Sequence, residues 1–325
     1  MVSRRRTGSA AATLLVLSVM VGFRIVTAST PAGDAGAAPV LQQRAATSAP
    51  TATFDSTRAW EHLRRQVALG PRPAGSTALA ETRRYILDQL KTAGVAAQQQ
   101  TFVAKTPGGD VSMTNIIATI PGRRRERLIL ASHYDTKRAA DFRFVGASDG
   151  ASSTAALLEL ARVLKSRPHE LTMELLFLDG EEAVNWDWGV TGADNTYGSR
   201  YYVDAARKAG TLAGVKALIL LDMIGDRNLT IRRDLKSTPW LVDIVWSAAA
   251  KLGHAKVFSN ETTEIDDDHI AFVRAGVPSV DIIDLEYPQW HTAQDDLDHV
   301  SARSLQTVGD VVLAALPAIE KRAIN

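Results

Sequence analysis

The sequence predicts a single α/β domain, a mostly parallel mixed central sheet with helices on both faces. Three observations point there. Strand-like and helix-like patterns alternate from about residue 115 to the C-terminus. Lys216 to Leu221 is a near-continuous apolar run, as a strand buried on both faces requires. Polar clusters follow several strands directly, at the carboxyl ends where open α/β sheets bind their ligands.

The elements follow in order. Residues 56–68 and 77–93 carry helical patterns, the second stopped by Gly94. Asn115 to Ile120 is a short apolar strand ended by Pro121-Gly122, and Arg127 to Ser132 is another. Ser152 to Leu164 places Ala155, Leu158, Leu160, Ala161 and Leu164 at helical spacing, with Ser152 or Ser153 as the expected N-cap. Leu171 to Leu178 is a strand, Thr196 to Ala209 a helix, and Lys216 to Leu221 a strand. A helix over Pro239–Leu252, a strand over Val277–Leu285 and a closing helix over Ser301–Ala318 complete the pattern.

Composition limits the function classes. The 325 residues are 46% hydrophobic and 22% charged, as in an ordinary soluble globular protein. The formal net charge is +1 without a long block of like charge, so no nucleic-acid footprint is present. Arg4, Arg5 and Arg6 precede an apolar run from Ala10 to Phe23, followed by the small-residue site Val26-Thr27-Ala28. That is the layout of a secretory signal over residues 1–28. The run is 14 residues, short of the roughly 20 that span a bilayer, so cleavage is expected over an uncleaved membrane anchor. Loss of residues 1–28 removes four arginines and no acids, which turns the net charge to −3. Residues 29–53, rich in Ala, Thr, Ser, Pro and Gly, read as a flexible linker. From residue 54 to 325 there is no internal repeat and no second low-complexity stretch, so one domain is expected in a periplasmic or extracellular protein. With no cysteine anywhere, a thiolate nucleophile is excluded and a metal site must use His and carboxylates.

Such residues recur after the strands. His133-Tyr134-Asp135 follows the strand at 127–132, Asp179-Gly180-Glu181-Glu182 the strand at 171–178, and Asp222 the strand at 216–221. Trp290-His291-Thr292 lies past the strand at 277–285, and Asp149 sits in a Gly-rich loop before a helix. Taken singly, an Asp after a strand is a turn former or cap, and a Glu pair is a solvated helix start. Taken together, they supply the ligands that zinc accepts. Three ligands leave a position open for substrate, and an adjacent second Glu can serve as general acid/base. Gly146-Ala147-Ser148-Asp149-Gly150 also fits the G-x-S-x-G nucleophile elbow, with Asp222 and His291 in hydrolase order. That alternative leaves His133, Asp135 and both glutamates without a task.

Seven motifs carry a resemblance. They are ASHYDTK at 131–137, GASDGASSTAALLELAR at 146–162, LLFLDGEEA at 175–183, YGSRYY at 197–202, LLDMIGD at 220–226, DDDHIAFVRAGVP at 266–278 and WHT at 290–292. In order and spacing they resemble the animal-type glutaminyl-peptide cyclotransferases and their bacterial relatives, within the broader zinc aminopeptidase-like superfamily. The resemblance implies closure of an N-terminal glutamine of a peptide or protein to pyroglutamate, with ammonia released. It implies one zinc on Asp149, Glu182 and His291, with Glu181 moving the proton. Asp222 and Asp267 would continue an acidic hydrogen-bond network, and Trp290 would wall the substrate pocket.

The alternative within the same superfamily is a dizinc aminopeptidase. There His133 and Asp222 would hold a second zinc, with Asp149 bridging. Asp267-Asp268-His269, where aminopeptidases tend to have Ser-Asp-His, and Trp290 beside His291 lean to the cyclase. Two features depart from the animal pattern: no cysteine pair exists for its disulfide, and Asp187 stands where a pocket tryptophan is expected, flanked by Trp186 and Trp188. A metal-free binding domain on this scaffold would predict eroded ligands, whereas Asp149, Glu181, Glu182 and His291 are all intact.

Overall fold

A computed structural model of the chain describes residues 52–185, 188 and 194–325. They lie within one compact unit, Ala49–Asn325. The expected leader at 1–28, the linker up to residue 51, Trp186 and Asp187 lie outside the described residues. The last two linker positions are tied down. The carbonyl of Ala52 accepts from Arg167 at 2.7 Å and that of Thr53 from Arg162 at 2.8 Å.

Helix α1 (Ser56–Leu69) starts where the Asp55 carboxylate accepts the N–H groups of Thr57 and Arg58. Helix α2 (Thr77–Thr92) is capped by Ser76 and closed by Gly94 at φ +70°, where a side chain would be strained. Strands β1 (Ala96–Thr106) and β2 (Gly109–Ile120) form an antiparallel hairpin around Pro107-Gly108. Then come β3 (Arg127–His133), α3 (Ala151–Lys165), β4 (Thr172–Leu178), α4 (Tyr197–Lys208) and β5 (Val215–Asp222). A small pair, β6 (Ile231–Asp234) and β7 (Phe258–Thr263), flanks α5 (Pro239–Lys251). Helix α6 (His269–Arg274), strand β8 (Ser279–Ile283) and helix α7 (Ala302–Ile324) finish the chain.

The main sheet runs β1-β2-β4-β3-β5-β8. β1, β2 and β4 pair antiparallel, while β4-β3, β3-β5 and β5-β8 pair parallel. Alternation sorts its two faces. Leu128, Leu130, Leu175, Phe177, Ile219 and Leu221 point into the core shared with α1, α2, α3, α5 and α7. Ile129, Ala131, Leu176, Leu178, Leu218 and Leu220 point into the smaller core under α4 and α6. Each fully buried Leu or Ile contributes about 1.5–3 kcal/mol of transfer free energy, so the inner positions of the central strands are apolar with few exceptions, Glu174 of β4 among them. Among the described residues, no helix is long and apolar enough to cross a membrane.

The structure corrects several sequence-based boundaries. β2 begins at Gly109, not Asn115, because its first half pairs with β1 in the hairpin. β1 (AAQQQTFVAKT) is mostly exposed and lacks the apolar pattern that marks the inner strands. Helix α3 is capped at Gly150, not at Ser152 or Ser153, whose hydroxyls are buried within the first turn. The Ser152 hydroxyl donates to the Ser148 carbonyl and accepts from the Ile224 N–H. Helix α7 continues six residues beyond Ala318, to Ile324.

Candidate metal centre and active site

Because β4, β3, β5 and β8 are parallel neighbours, their carboxyl ends share one edge of the sheet. β3 ends in His133 and β5 in Asp222. β4 runs directly into Asp179-Gly180-Glu181-Glu182, and the chain after β8 leads to Trp290 and His291. Asp149 arrives from the loop before α3. All are buried except His291, which is partly open, and Trp290, which is 38% exposed at the mouth.

Two groups of ligand atoms form there. Asp149, Glu182 and His291 make one, and His133, Asp149 and Asp222 make the other. In each, the ligand atoms lie within 4.8 Å of one another. Nε2 of His291 is 3.4 Å from Oδ2 of Asp149 and 3.3 Å from Oε2 of Glu182. Nε2 of His133 is 3.3 Å from the other Asp149 oxygen and 3.0 Å from Oδ1 of Asp222. Asp149 therefore stands between the two imidazoles. Glu181 sits beside both groups, its Oε2 3.7 Å from Nδ1 of His133.

The backbone around these side chains is held firmly. The Asp135 carboxylate accepts the N–H groups of Glu181 at 3.2 Å and Glu182 at 3.3 Å, so the two glutamates leave β4 in a set direction. Oε1 of Glu182 accepts from the Lys137 N–H at 3.0 Å, and Oε2 from the Trp188 indole at 3.3 Å. Met223 (φ +46°) and His291 (φ +53°) occupy the left-handed region that disfavours side chains. Such strain, about 1–3 kcal/mol each, persists only where surrounding contacts over-determine the backbone.

One residue that the sequence did not single out is Arg72, fully buried. Its guanidinium donates to the carbonyls of Tyr134 at 3.1 Å, Val145 at 2.6 Å and Gly146 at 3.0 Å. Burial lowers its pKa to about 10, against the pull of Asp295, Asp149, Asp135 and Glu182. Set between prolines in a loop, it carries no periodic signal, and arginines are mostly exposed. Arg72→Met should cost about 3–5 kcal/mol of stability, because it leaves three buried carbonyl acceptors unpaired, at about 1–3 kcal/mol each. Urea unfolding checks this; an unchanged midpoint would remove Arg72 from that role.

Crowded acids dominate the electrostatics. Burial pushes the Glu181 carboxyl well above the usual carboxylate range; His133 opposes this, while Asp267 and Glu182 add to it. Burial likewise raises Glu182, with Asp149 next to it, and Asp222, despite His133. Asp267 goes well up through burial and the nearby charges of Asp222 and Asp268. Asp149 moves the other way: burial works against its charge, but the two imidazoles beside it, His133 and His291, outweigh that and pull its pKa below the usual carboxylate range. Burial disfavours the charged His291 ring, yet Asp149 and Glu182 lift its pKa to about 9.

This donor set fits a divalent metal. Oδ2 of Asp149 and Nε2 of His291 are buried atoms that no hydrogen bond satisfies, and they face each other. Two carboxylates and an imidazole are ligands that zinc takes in catalytic sites, and a dication among them would offset the carboxylate repulsion. A serine-nucleophile elbow does not fit. Ser148 is fully buried, its hydroxyl accepts from the Gly225 N–H, and the His291 nitrogen faces Asp149 and Glu182 instead.

An open cleft with about 520 Å³ of empty space leads to the metal ligands. Trp188, Trp290, Leu285 and Ile265 form its apolar wall, while Glu181, Asp222 and Asp267 face it from below. Of the tryptophans near the Glu pair, Trp188 thus lines the cleft. Phe144 meets the His291 ring edge-on at 5.8 Å, and Trp290 stacks on it at 4.2 Å.

Comparison with known proteins supports the same class. Residues 115–316 match peptidase family M28. A glutaminyl-peptide cyclotransferase from Bos taurus is 31% identical over 291 residues, covering 78% of this chain and 79% of the relative. A crystal structure of an Acidobacteriales bacterium glutaminyl cyclase superposes with a TM-score of 0.80 at 38% identity, covering 86% of this chain and 99% of that one. A leucine aminopeptidase precursor from Bacteroides thetaiotaomicron superposes with a TM-score of 0.75 at 29% identity, covering 82% of this chain and 98% of that one.

Proposed function

This chain belongs to peptidase family M28 and to the glutaminyl-peptide cyclotransferases, and from that premise we propose that it converts the N-terminal glutamine of peptides to pyroglutamate with release of ammonia. The observation that carries the reading is the cluster Asp149, Glu182 and His291 with the Glu181 carboxyl beside it at the floor of a cleft.

The chemistry needs little else. The substrate's own α-amine is the nucleophile and its γ-amide the target, so holding the side chain folded toward the amine supplies much of the rate through orientation. A zinc held by Asp149, Glu182 and His291 would polarise the γ-carbonyl as a Lewis acid. Glu181 takes a proton from the attacking amine and passes it to the departing nitrogen. Its raised pKa suits a group that must both accept and donate. Asp222 and Asp267 line the same cleft as Glu181, and the nearby charges of Asp222 and Asp268 add to the burial that raises Asp267, so these acids extend the acidic floor around the proton carrier. Trp290, half open and stacked on His291, walls the glutamine side chain. Residues 1–28 would export the enzyme to the periplasm or beyond, or anchor it to the membrane if left uncleaved.

The group His133, Asp149 and Asp222 supports a second reading, a dizinc aminopeptidase that releases N-terminal residues. One pair of assays separates the two. With N-terminal glutaminyl dipeptides, ammonia release is expected; with a leucine anilide, no hydrolysis. Anilide cleavage without ammonia release would sink the cyclase reading and install the peptidase.

A further inference from the structure

We propose that Asp295 is a positioning residue that cross-braces the two segments carrying Asp149 and His291, setting their geometry before a metal arrives. This inference rests on the metal reading above.

Asp295 is fully buried four residues beyond His291. It receives three successive N–H groups of the Asp149 loop. Its backbone carbonyl accepts from Ala147 at 3.2 Å, Oδ1 from Ser148 at 2.7 Å, and Oδ2 from Asp149 itself at 3.1 Å. Oδ1 also accepts from the Tyr287 hydroxyl at 2.9 Å. Its own N–H donates to the carbonyl of Thr292, the neighbour of His291, at 3.2 Å. With those oxygens occupied, Asp295 has no place in either ligand group.

The brace joins positions 147 residues apart. It grips the loop by its N–H groups, while Arg72 grips the Val145 and Gly146 carbonyls. His291 holds a strained φ of +53°, which persists only if neighbouring contacts enforce it; the Asp295–Thr292 bond is one of them. Residues that hold metal ligands in place are worth about 10–100-fold in metal affinity when removed.

The test titrates zinc into the metal-stripped full chain against a chromogenic chelator, for wild type, Asp295→Ala, Asp295→Asn and Tyr287→Phe. Asp296→Asn is the control, since Asp296 pairs with His299 at 2.8 Å instead. Asp295→Ala should bind zinc about 10–100-fold more weakly. Asp295→Asn should recover part of that, its remaining oxygen accepting one N–H group, and Tyr287→Phe should lose less than either. The control should match wild type. In Asp295→Ala, kcat should return toward the wild-type value as free zinc is raised, which a general loss of folding would not allow. Wild-type affinity in a natively folded Asp295→Ala overturns the brace. If that variant does not fold, unchanged affinity in both Asp295→Asn and Tyr287→Phe overturns it. A wild-type chain that takes up no zinc sinks the metal reading instead, and the brace with it.

Discussion

Glu181→Gln is expected to lower turnover by about 10²–10⁴-fold, the usual worth of a positioned acid/base, with metal content unchanged. Glutamine keeps the shape of the side chain and its backbone link to Asp135. It cannot accept and return a proton. Glu181 is outside both ligand groups, so the metal should survive the change. Substrate affinity should hold as well, which places the loss in kcat and not in KM. Steady-state kinetics on a glutaminyl dipeptide, with zinc measured on the same sample, reads both quantities. Near-wild-type turnover would remove Glu181 from its role; loss of zinc would recast it as a ligand.

A second large effect is expected at Asp149, which contributes to both ligand groups. Asp149→Ala should leave the protein essentially without metal. Lewis-acid stabilisation is worth several kcal/mol, so turnover should fall by about 10³-fold or more. His133→Ala touches only the group with Asp222. In a one-zinc cyclase it should leave zinc content at about one per chain, because Asp149, Glu182 and His291 remain. In a dizinc peptidase it should take the content from about two to about one. Elemental analysis of the two variants beside wild type therefore reports how many ions this chain holds, independently of any activity. Asp149→Ala with wild-type zinc content would refute the shared-ligand arrangement.

Legibility varied with how local each feature is. β3, β4 and β5 were readable because a strand buried on two faces must be apolar at nearly every position. β1, β6 and β7 were not, since they are short or exposed and offer no such run. Helix α6 is only six residues long, too short for a periodic pattern. Ser152 and Ser153 have the residue type of an N-cap for α3, yet their hydroxyls serve tertiary partners and Gly150 takes the cap position. At the site, the residue types at strand ends were visible because polar groups after buried strands break the pattern. Arg72 and Asp295 were not, because their work lies entirely in backbone contacts with distant segments.

By itself the sequence determined the fold class, the set of residues that could carry metal chemistry, and the family they resemble. Tertiary structure alone decided how those residues are shared: that Asp149 stands between two imidazoles, that Trp188 reaches Glu182, and that Asp295 holds the Asp149 loop. The physical reason is range. Periodicity and composition report each residue's own burial, whereas hydrogen bonds and shared ligands depend on which strand ends the parallel topology brings together.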